Sequence, residues 1–267
     1  MTEQFLDTVI RARREALSVA FGDLAPSDRE RLAASARPVR DFLAAIRDPE
    51  VVGVIAEVKK CSPSAGEIAP DCEASKQALH YQDGGAACIS VLTEPKFFGG
   101  SFVDLSDVAD AVDIPVLCKD FVVDPVQLFA ARGHGADAVL LMVSVLGDSI
   151  GEYLDVAGTL GLTALVEIHS EAELAIALDA SAELIGVNSR DLRTLDVTPE
   201  KVAPLLRLAR EAGAVVVAES GVRNRADVQR AAHNGADAVL VGEALMRSDF
   251  PEDVLSELTG VPKGPFV

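Results

Sequence analysis

Eight short apolar runs, spaced along the chain from residue 51 onward, constrain this sequence more than any other feature. They are Val51–Val58, Ala86–Thr93, Pro115–Cys118, Ala136–Val143, Thr163–Ile168, Leu184–Val187, Val215–Ala218 and Ala236–Val241. Each is rich in Val, Ile and Leu and nearly continuous rather than alternating, as strands covered on both faces require. Between them lie stretches such as Val126–Arg132, Glu171–Leu178, Pro199–Glu211 and Arg225–His233, whose apolar residues recur at helical spacing. The units recur roughly every 27 residues, the size of a βα repeat. Eight of them predict an α/β chain closed into a single (β/α)8 TIM barrel rather than an open doubly wound sheet. An internal echo agrees with this count. The run Gly135-Ala136-Asp137-Ala138-Val139-Leu140 returns as Gly235-Ala236-Asp237-Ala238-Val239-Leu240. By position these are strands four and eight, equivalent places in two half-barrels.

About 48 residues precede the repeat and do not share its pattern. Phe5, Leu6, Val9, Ile10, Ala16 and Leu17 form an apolar stripe at helical spacing. Ser27 with Glu30 reads as a capping box opening a second helix. Pro38 then permits a third short helix carrying Phe42, Leu43 and Ile46. These helices are expected to plug one end of the barrel; the alternative is that they also wall the substrate pocket. No Pro/Gly/Ser-rich linker intervenes, so residues 1–267 read as one domain, with 1–48 as an N-terminal helical extension.

Acidic residues outnumber basic ones 42 to 24, for a formal charge of -18. Nucleic acid or an anionic membrane would demand a basic footprint, so neither is expected as a partner. A small anion remains compatible, because a pocket can be locally positive on an acidic protein. Cys61, Cys72, Cys88 and Cys118 form no C-x-x-C pair and have no His at zinc spacing. Free thiols in a reducing compartment are expected. Met1–Glu15 has no signal-peptide apolar core, and no uncharged stretch is long enough to span a membrane. The expected location is the cytoplasm. No H-x-x-x-H, no G-x-S-x-G elbow and no G-x-G-x-x-G directly follows a strand, which removes the metal, serine-hydrolase and dinucleotide readings. His80, His134, His169 and His233 read as mostly lying in helices or loops away from the strand ends.

Chemistry on such a barrel belongs to the strand ends and the loops that follow them. Strand one closes on Glu57-Val58-Lys59, which puts a carboxylate and an ammonium on one face at period two. Strand three ends at Lys119, strand five at Glu167, strand six at Asn188 and strand seven at Glu219-Ser220-Gly221. Strand eight leads into Gly242-Glu243. Only seven of the 24 basic residues are lysines, and three of those are Lys59, Lys60 and Lys119. Charged side chains are rarely buried unless paired, so inward Glu and Lys ending apolar strands predict a polar site at the mouth. Ser220-Gly221 and Gly242-Glu243-Ala244 stand where barrels commonly bind phosphate through backbone N–H groups. Ser62, after strand one, could add a hydroxyl donor or serve a simple turn.

These residues lie in motifs that resemble the indole-3-glycerol phosphate synthase family. They are IAEVKKCSPSAG (Ile55–Gly66), SVLTEPKFFGGS (Ser90–Ser101), PVLCKDFVVDPVQ (Pro115–Gln127) and ALVEIHSEAEL (Ala164–Leu174). IGVNSRDLRTLDV (Ile185–Val197), VAESGV (Val217–Val222) and ADAVLVGEALMR (Ala236–Arg247) complete the set. The resemblance spans nearly the whole chain, extension included. It implies ring closure of 1-(2-carboxyphenylamino)-1-deoxyribulose 5-phosphate to indole-3-glycerol phosphate, CO2 and water, in tryptophan biosynthesis, without cofactor or metal. By resemblance, Lys119 would be the general acid at the ribulose carbonyl. Lys59 would contact substrate and donate a proton for the loss of hydroxide. Glu167 would be a catalytic carboxylate, and Glu57 would assist proton transfer as the base of dehydration. Asn188 and Glu219 would hold substrate hydroxyls and orient the lysines. Ser62, Ser220, Gly221, Gly242 and Glu243 would bind phosphate, with Phe98 and Arg190 walling the pocket. A monomer is expected, with a weak homodimer as the alternative.

Two other readings stay open at this point. One is a different phosphate-binding barrel, such as phosphoribosylanthranilate isomerase. The other is a catalytically silent barrel that binds a phosphorylated metabolite. The paired lysines and glutamates of the mouth and the long extension favour the synthase over both.

Overall fold

All eight apolar runs are strands in the computed structural model, which describes residues 5–34, 36–48, 50–191 and 195–264. They are β1 (Gly53–Val58), β2 (Cys88–Leu92), β3 (Val116–Lys119), β4 (Ala138–Met142), β5 (Thr163–Ile168), β6 (Leu184–Asn188), β7 (Val215–Glu219) and β8 (Ala238–Val241). Each pairs in parallel with its sequence neighbours, and β8 pairs with β1, closing the barrel. Helices follow the strands as expected; Pro199–Glu211 and Arg225–His233 have the boundaries their periodicity predicts. An antiparallel hairpin, Cys61–Ser62 with Gly66–Glu67, occupies the first loop above β1.

Period-two alternation divides every strand between two cores. Val54, Ala56 and Val58 face outward into the layer shared with the helices. Ile55, Leu117, Leu140, Leu165, Val217 and Leu240 face the barrel axis and pack against one another. The side chain that ends each inward row therefore points along the axis toward the mouth. That geometry converts the residues closing the strands into one site.

The extension does more than plug one end. Helix α3 (Phe42–Ile46), capped by Asp41, which accepts from the Ala44 N–H at 2.8 Å, buries Phe42 and Ile46 completely in the axial core. It sits where β1 begins, and a Cβ on Gly53 would lie 3.4 Å from the Ile46 Cα. Helix α1 (Phe5–Phe21) instead sends Leu6 and Val9 into the same cluster beside Phe97, Phe98 and Phe121. It braces the mouth from behind. Helix α2 (Pro26–Ala33) does not start at a Ser27 capping box. Its N-cap is Ala25, with no side-chain cap, and Ser27 lies inside the first turn. A proline at the first helical position supplies the preset φ and lacks an N–H to satisfy, which makes the capping side chain dispensable.

The repeated Gly-Ala-Asp has a shared physical role. Asp137 accepts from the Val116 N–H at 2.8 Å, and Asp237 accepts from the Val216 N–H at 3.0 Å. Each thus fixes the start of the preceding strand. Both carboxylates are paired with cations: Asp137 with Arg37 and Arg40 of the extension, Asp237 with Arg210 and Lys263. Among the described residues no helix is long and apolar enough to cross a membrane.

Replacing the fully buried Phe42 by Ala leaves a cavity under the barrel. Unfolding in urea is expected to show a loss of about 3–5 kcal/mol, with kcat unchanged because the mouth is untouched.

Candidate active site

A cavity of about 330 Å³ opens at the carboxyl ends of the strands, within the range of small-molecule sites. Its lining includes Glu57, Lys59, Phe98, Lys119, Glu167, Asn188, Arg190, Glu219, Ser220, Gly221, Gly242 and Glu243. Of the residues singled out from the sequence, Ser62 and Lys60 are not among them. The Ser62 hydroxyl accepts from the Ala65 N–H at 3.2 Å and so holds the turn of the hairpin. Lys60 turns away from the mouth, to an ion pair with Asp104 at 2.7 Å. It follows Lys59 directly, so it falls on the opposite face of the chain.

Lys119 stands between two buried carboxylates, 2.7 Å from Glu219 Oε2 and 3.4 Å from Glu167 Oε2. Lys59 reaches Glu57 Oε1 at 2.8 Å. Burial opposes the charge on Lys119, but Glu219 and Glu167 outweigh it and hold the ammonium well above its ordinary range. The two glutamates diverge. Burial raises Glu219, Lys119 opposes this, and repulsion from Glu167 adds to it, leaving Glu219 at about 7. Burial also works against Glu167, yet Lys119 and then His169 more than compensate, so it falls below the usual carboxylate value. Two carboxyl groups around one ammonium thus have separate protonation states near neutrality, the arrangement from which acid and base roles are made.

Two glycines make room for these charges. A Cβ on Gly186 would lie 2.1 Å from Glu219 Oε1, and one on Gly242 would lie 2.5 Å from Glu57 Oε1. Gly186 is a feature that sequence reasoning passed over; its only signal is a glycine inside an apolar strand, a mark of close approach. Ser220 and Gly221 both have positive φ, 65° and 80°. A serine there is strained, at a cost of order 1–3 kcal/mol, and surrounding bonds hold it. Ser220 Oγ donates to Asn188 Oδ1 at 2.8 Å, and Ser189 Oγ donates to the Ser220 carbonyl at 3.1 Å.

Further residues complete the walls. Phe121, Met142, Val222 and Ala244 supply apolar surface, while Arg223 and Arg247 bring positive charge beside the two glycine-bearing loops. Arg190 donates to Ser64 Oγ at 3.0 Å, joining the loop after β6 to the hairpin after β1. Behind the cavity, Arg13 of α1 makes two bonds to Asp120, at 2.9 and 2.6 Å, immediately after Lys119. The Phe5 ring packs edge-on against Phe97 at 5.5 Å. The extension therefore supports the loops bearing Lys119 and Phe98, and among the described residues it contributes none to the lining. His169 is not remote either: its ring lies 3.4 Å from Glu167 Oε1. Among the described residues no cluster of His, Cys, Asp and Glu has the form of a metal site.

The Glu219 carboxyl should titrate at about 7 by ¹³C NMR of labelled protein, well above Glu167. Because the folded carboxyl binds its proton more tightly than the unfolded one, its contribution to stability declines as pH rises from about 4.5 to about 7. Glu219→Gln is expected to flatten that part of the stability curve.

Comparison with known proteins agrees with this geometry. At the level of fold, a solved thiamine phosphate pyrophosphorylase from Pyrococcus furiosus is similar over 77% of this chain and 93% of its own, with a TM-score of 0.59 at 15% identity. The indole-3-glycerol phosphate synthases of Mycobacterium tuberculosis H37Rv and Mycobacterium avium strain 104 are each 46% identical over 257 residues. These alignments cover 95% of this chain and 93% of each relative. The family model for indole-3-glycerol phosphate synthase matches residues 6–258. With the closed barrel and its charged mouth, these matches establish that the chain belongs to the indole-3-glycerol phosphate synthase family.

Proposed function

We propose that Lys119 is the general acid of the family's ring closure, with Lys59, Glu57, Glu167, Asn188 and Glu219 as its partners in proton transfer and positioning. The reaction converts 1-(2-carboxyphenylamino)-1-deoxyribulose 5-phosphate to indole-3-glycerol phosphate, CO2 and water. The observation that carries the assignment is the buried ammonium of Lys119 shared between Glu219 and Glu167 at the floor of the cavity.

The chemistry asks for such a group. As the carboxylate-bearing aromatic carbon attacks the ribulose carbonyl, its oxygen becomes an alkoxide, which a positioned ammonium stabilises and protonates. An amine held this strongly protonated is a poor acid toward water. An alkoxide is basic enough to take its proton, so transfer waits for the carbon–carbon bond to form. The ring nitrogen is then an iminium, which the Glu167 carboxylate stabilises until loss of CO2 returns the bonding electrons to the ring. Dehydration needs a second acid and base. Lys59 protonates the departing hydroxyl while Glu57, whose Oε1 lies 2.8 Å from the Lys59 ammonium, serves as base. Asn188 and Glu219 hold the substrate hydroxyls.

The phosphate belongs at the opposite wall, on Ser220, Gly221, Gly242 and the backbone N–H of Glu243, with Ser62 closing from the hairpin. Phe98 stacks over the aromatic ring, and Arg190 orders the loop above it. All these groups come from one chain, which supports one domain and a monomeric catalytic unit. The four unpaired cysteines support work in a reducing cytoplasm.

Lys119→Ala is expected to lower kcat by about 10²–10⁴ while circular dichroism stays native. Turnover is read from indole absorbance on mixing with the carboxyphenylamino substrate. An active, folded variant removes Lys119 from the mechanism.

A further inference from the structure

The inward carboxylates at the mouth leave one group of the site unused by the reaction so far. Glu57, Glu167 and Glu219 are each 2% exposed, and the ammonium groups among them are Lys59 and Lys119. An imidazole also lies beside these carboxylates. His169 lies one residue beyond β5, its backbone N–H held by Glu173 Oε2 at 2.7 Å. Its ring spans two carboxylates, with Nε2 3.4 Å from Glu167 Oε1 and Nδ1 3.4 Å from Glu173 Oε2. Glu167 Oε1 is buried without a hydrogen-bond partner, and both ring nitrogens are buried without a well-aligned one.

We propose that His169 is a positioning residue: as an imidazolium between Glu173 and Glu167, it keeps Glu167 ionised and aimed at Lys119. His169 is not part of the cavity lining, whereas Glu167 is. It therefore acts through Glu167 and not on the substrate. The groups that face it are Glu167 on its own strand, Glu173 on the following helix, Glu219 across the barrel and Lys119 beyond Glu167. The short helix Val143–Leu146, packed on the same side, carries no titratable residue. Burial disfavours the charged ring, but the carboxylates of Glu173, Glu167 and Glu219 outweigh it and hold the imidazole above its ordinary value. His169 is in turn one of the causes that keep Glu167 low.

The inference rests on Glu167 being a working carboxylate of the site, and the experiment separates the two. The readouts are the pH profile of kcat and the NMR titration of the His169 ring. Removing the cation raises the pH at which Glu167 takes a proton. His169→Gln is thus expected to move the acid limb upward by about one pH unit, with KM changed less than twofold. His169→Lys, which restores a cation, should bring the limb back. Glu173→Gln should move it less, and should lower the pH at which the ring titrates. A limb unmoved in His169→Gln, or a ring already neutral at pH 7 in the unaltered enzyme, overturns the proposal. Should His169→Gln fail to fold, the ring titration in the unaltered enzyme and in Glu173→Gln decides. Glu167→Gln is the control. If it retains full turnover, the assignment of Glu167 itself falls; if it is inactive while the limb stays fixed, only the role of His169 falls.

Discussion

The sharing of one buried ammonium by two carboxylates sets the terms for the rest of the molecule. At 4 Å and an effective dielectric of 20, two unit charges interact by about 4 kcal/mol. Taking an unpaired ion from water costs several kcal/mol more. Glu167 and Glu219 could not both stand on the inner face of the barrel without Lys119, and Lys119 could not be buried without them. Their meeting requires that β3, β5 and β7 bring their last inward residues to one height. It also requires that Gly186 offer Glu219 the space a side chain would fill. A closed sheet with fixed register is the device that satisfies both conditions.

The two ends of this barrel use charge for different purposes. Where the strands begin, Asp137 and Asp237 each accept a backbone N–H of the preceding strand and are neutralised by arginine or lysine. Both oxygens of each carboxylate are hydrogen-bonded and neither residue lines the cavity, so their role is to hold register. Where the strands end, the carboxylates keep unsatisfied oxygens, among them Glu57 Oε2, Glu167 Oε1 and Glu219 Oε1. An incompletely paired buried oxygen is a stability cost. It also leaves acceptor capacity for a substrate hydroxyl or a moving proton.

The strands were legible because both their faces are covered, which leaves continuous apolar runs that end abruptly. Their closing residues were legible for the same reason, since a charge at the end of such a run has few structural explanations. What escaped depends on neighbours distant in sequence. Lys60 looks like a third mouth lysine until Asp104 is placed beside it. His169 looks like a loop histidine until the side chain of Glu173 folds back from the next helix. Ser27 and Glu30 have capping-box spacing, but the helix begins at the proline before them. The stripe on α1 announces burial without saying at which end of the barrel, and Arg13 pairs with Asp120 across more than a hundred residues.

The net charge of -18 would seem to disfavour a substrate bearing both phosphate and carboxylate. The cavity resolves this locally. Its lining carries Lys59, Lys119, Arg190, Arg223 and Arg247 against Glu57, Asp120, Glu167, Glu219 and Glu243. Formally these cancel, but Asp120 is already neutralised by Arg13 from outside the lining, and Glu219 is partly protonated near neutral pH. The mouth is therefore positive relative to the surface around it. Salt screens the outer charges over about 8 Å, whereas the partly buried cations of the pocket are screened much less. Ring closure then removes the carboxylate as CO2, so the product leaves with less negative charge than the substrate brought. The same local field that draws the substrate in holds the product less tightly.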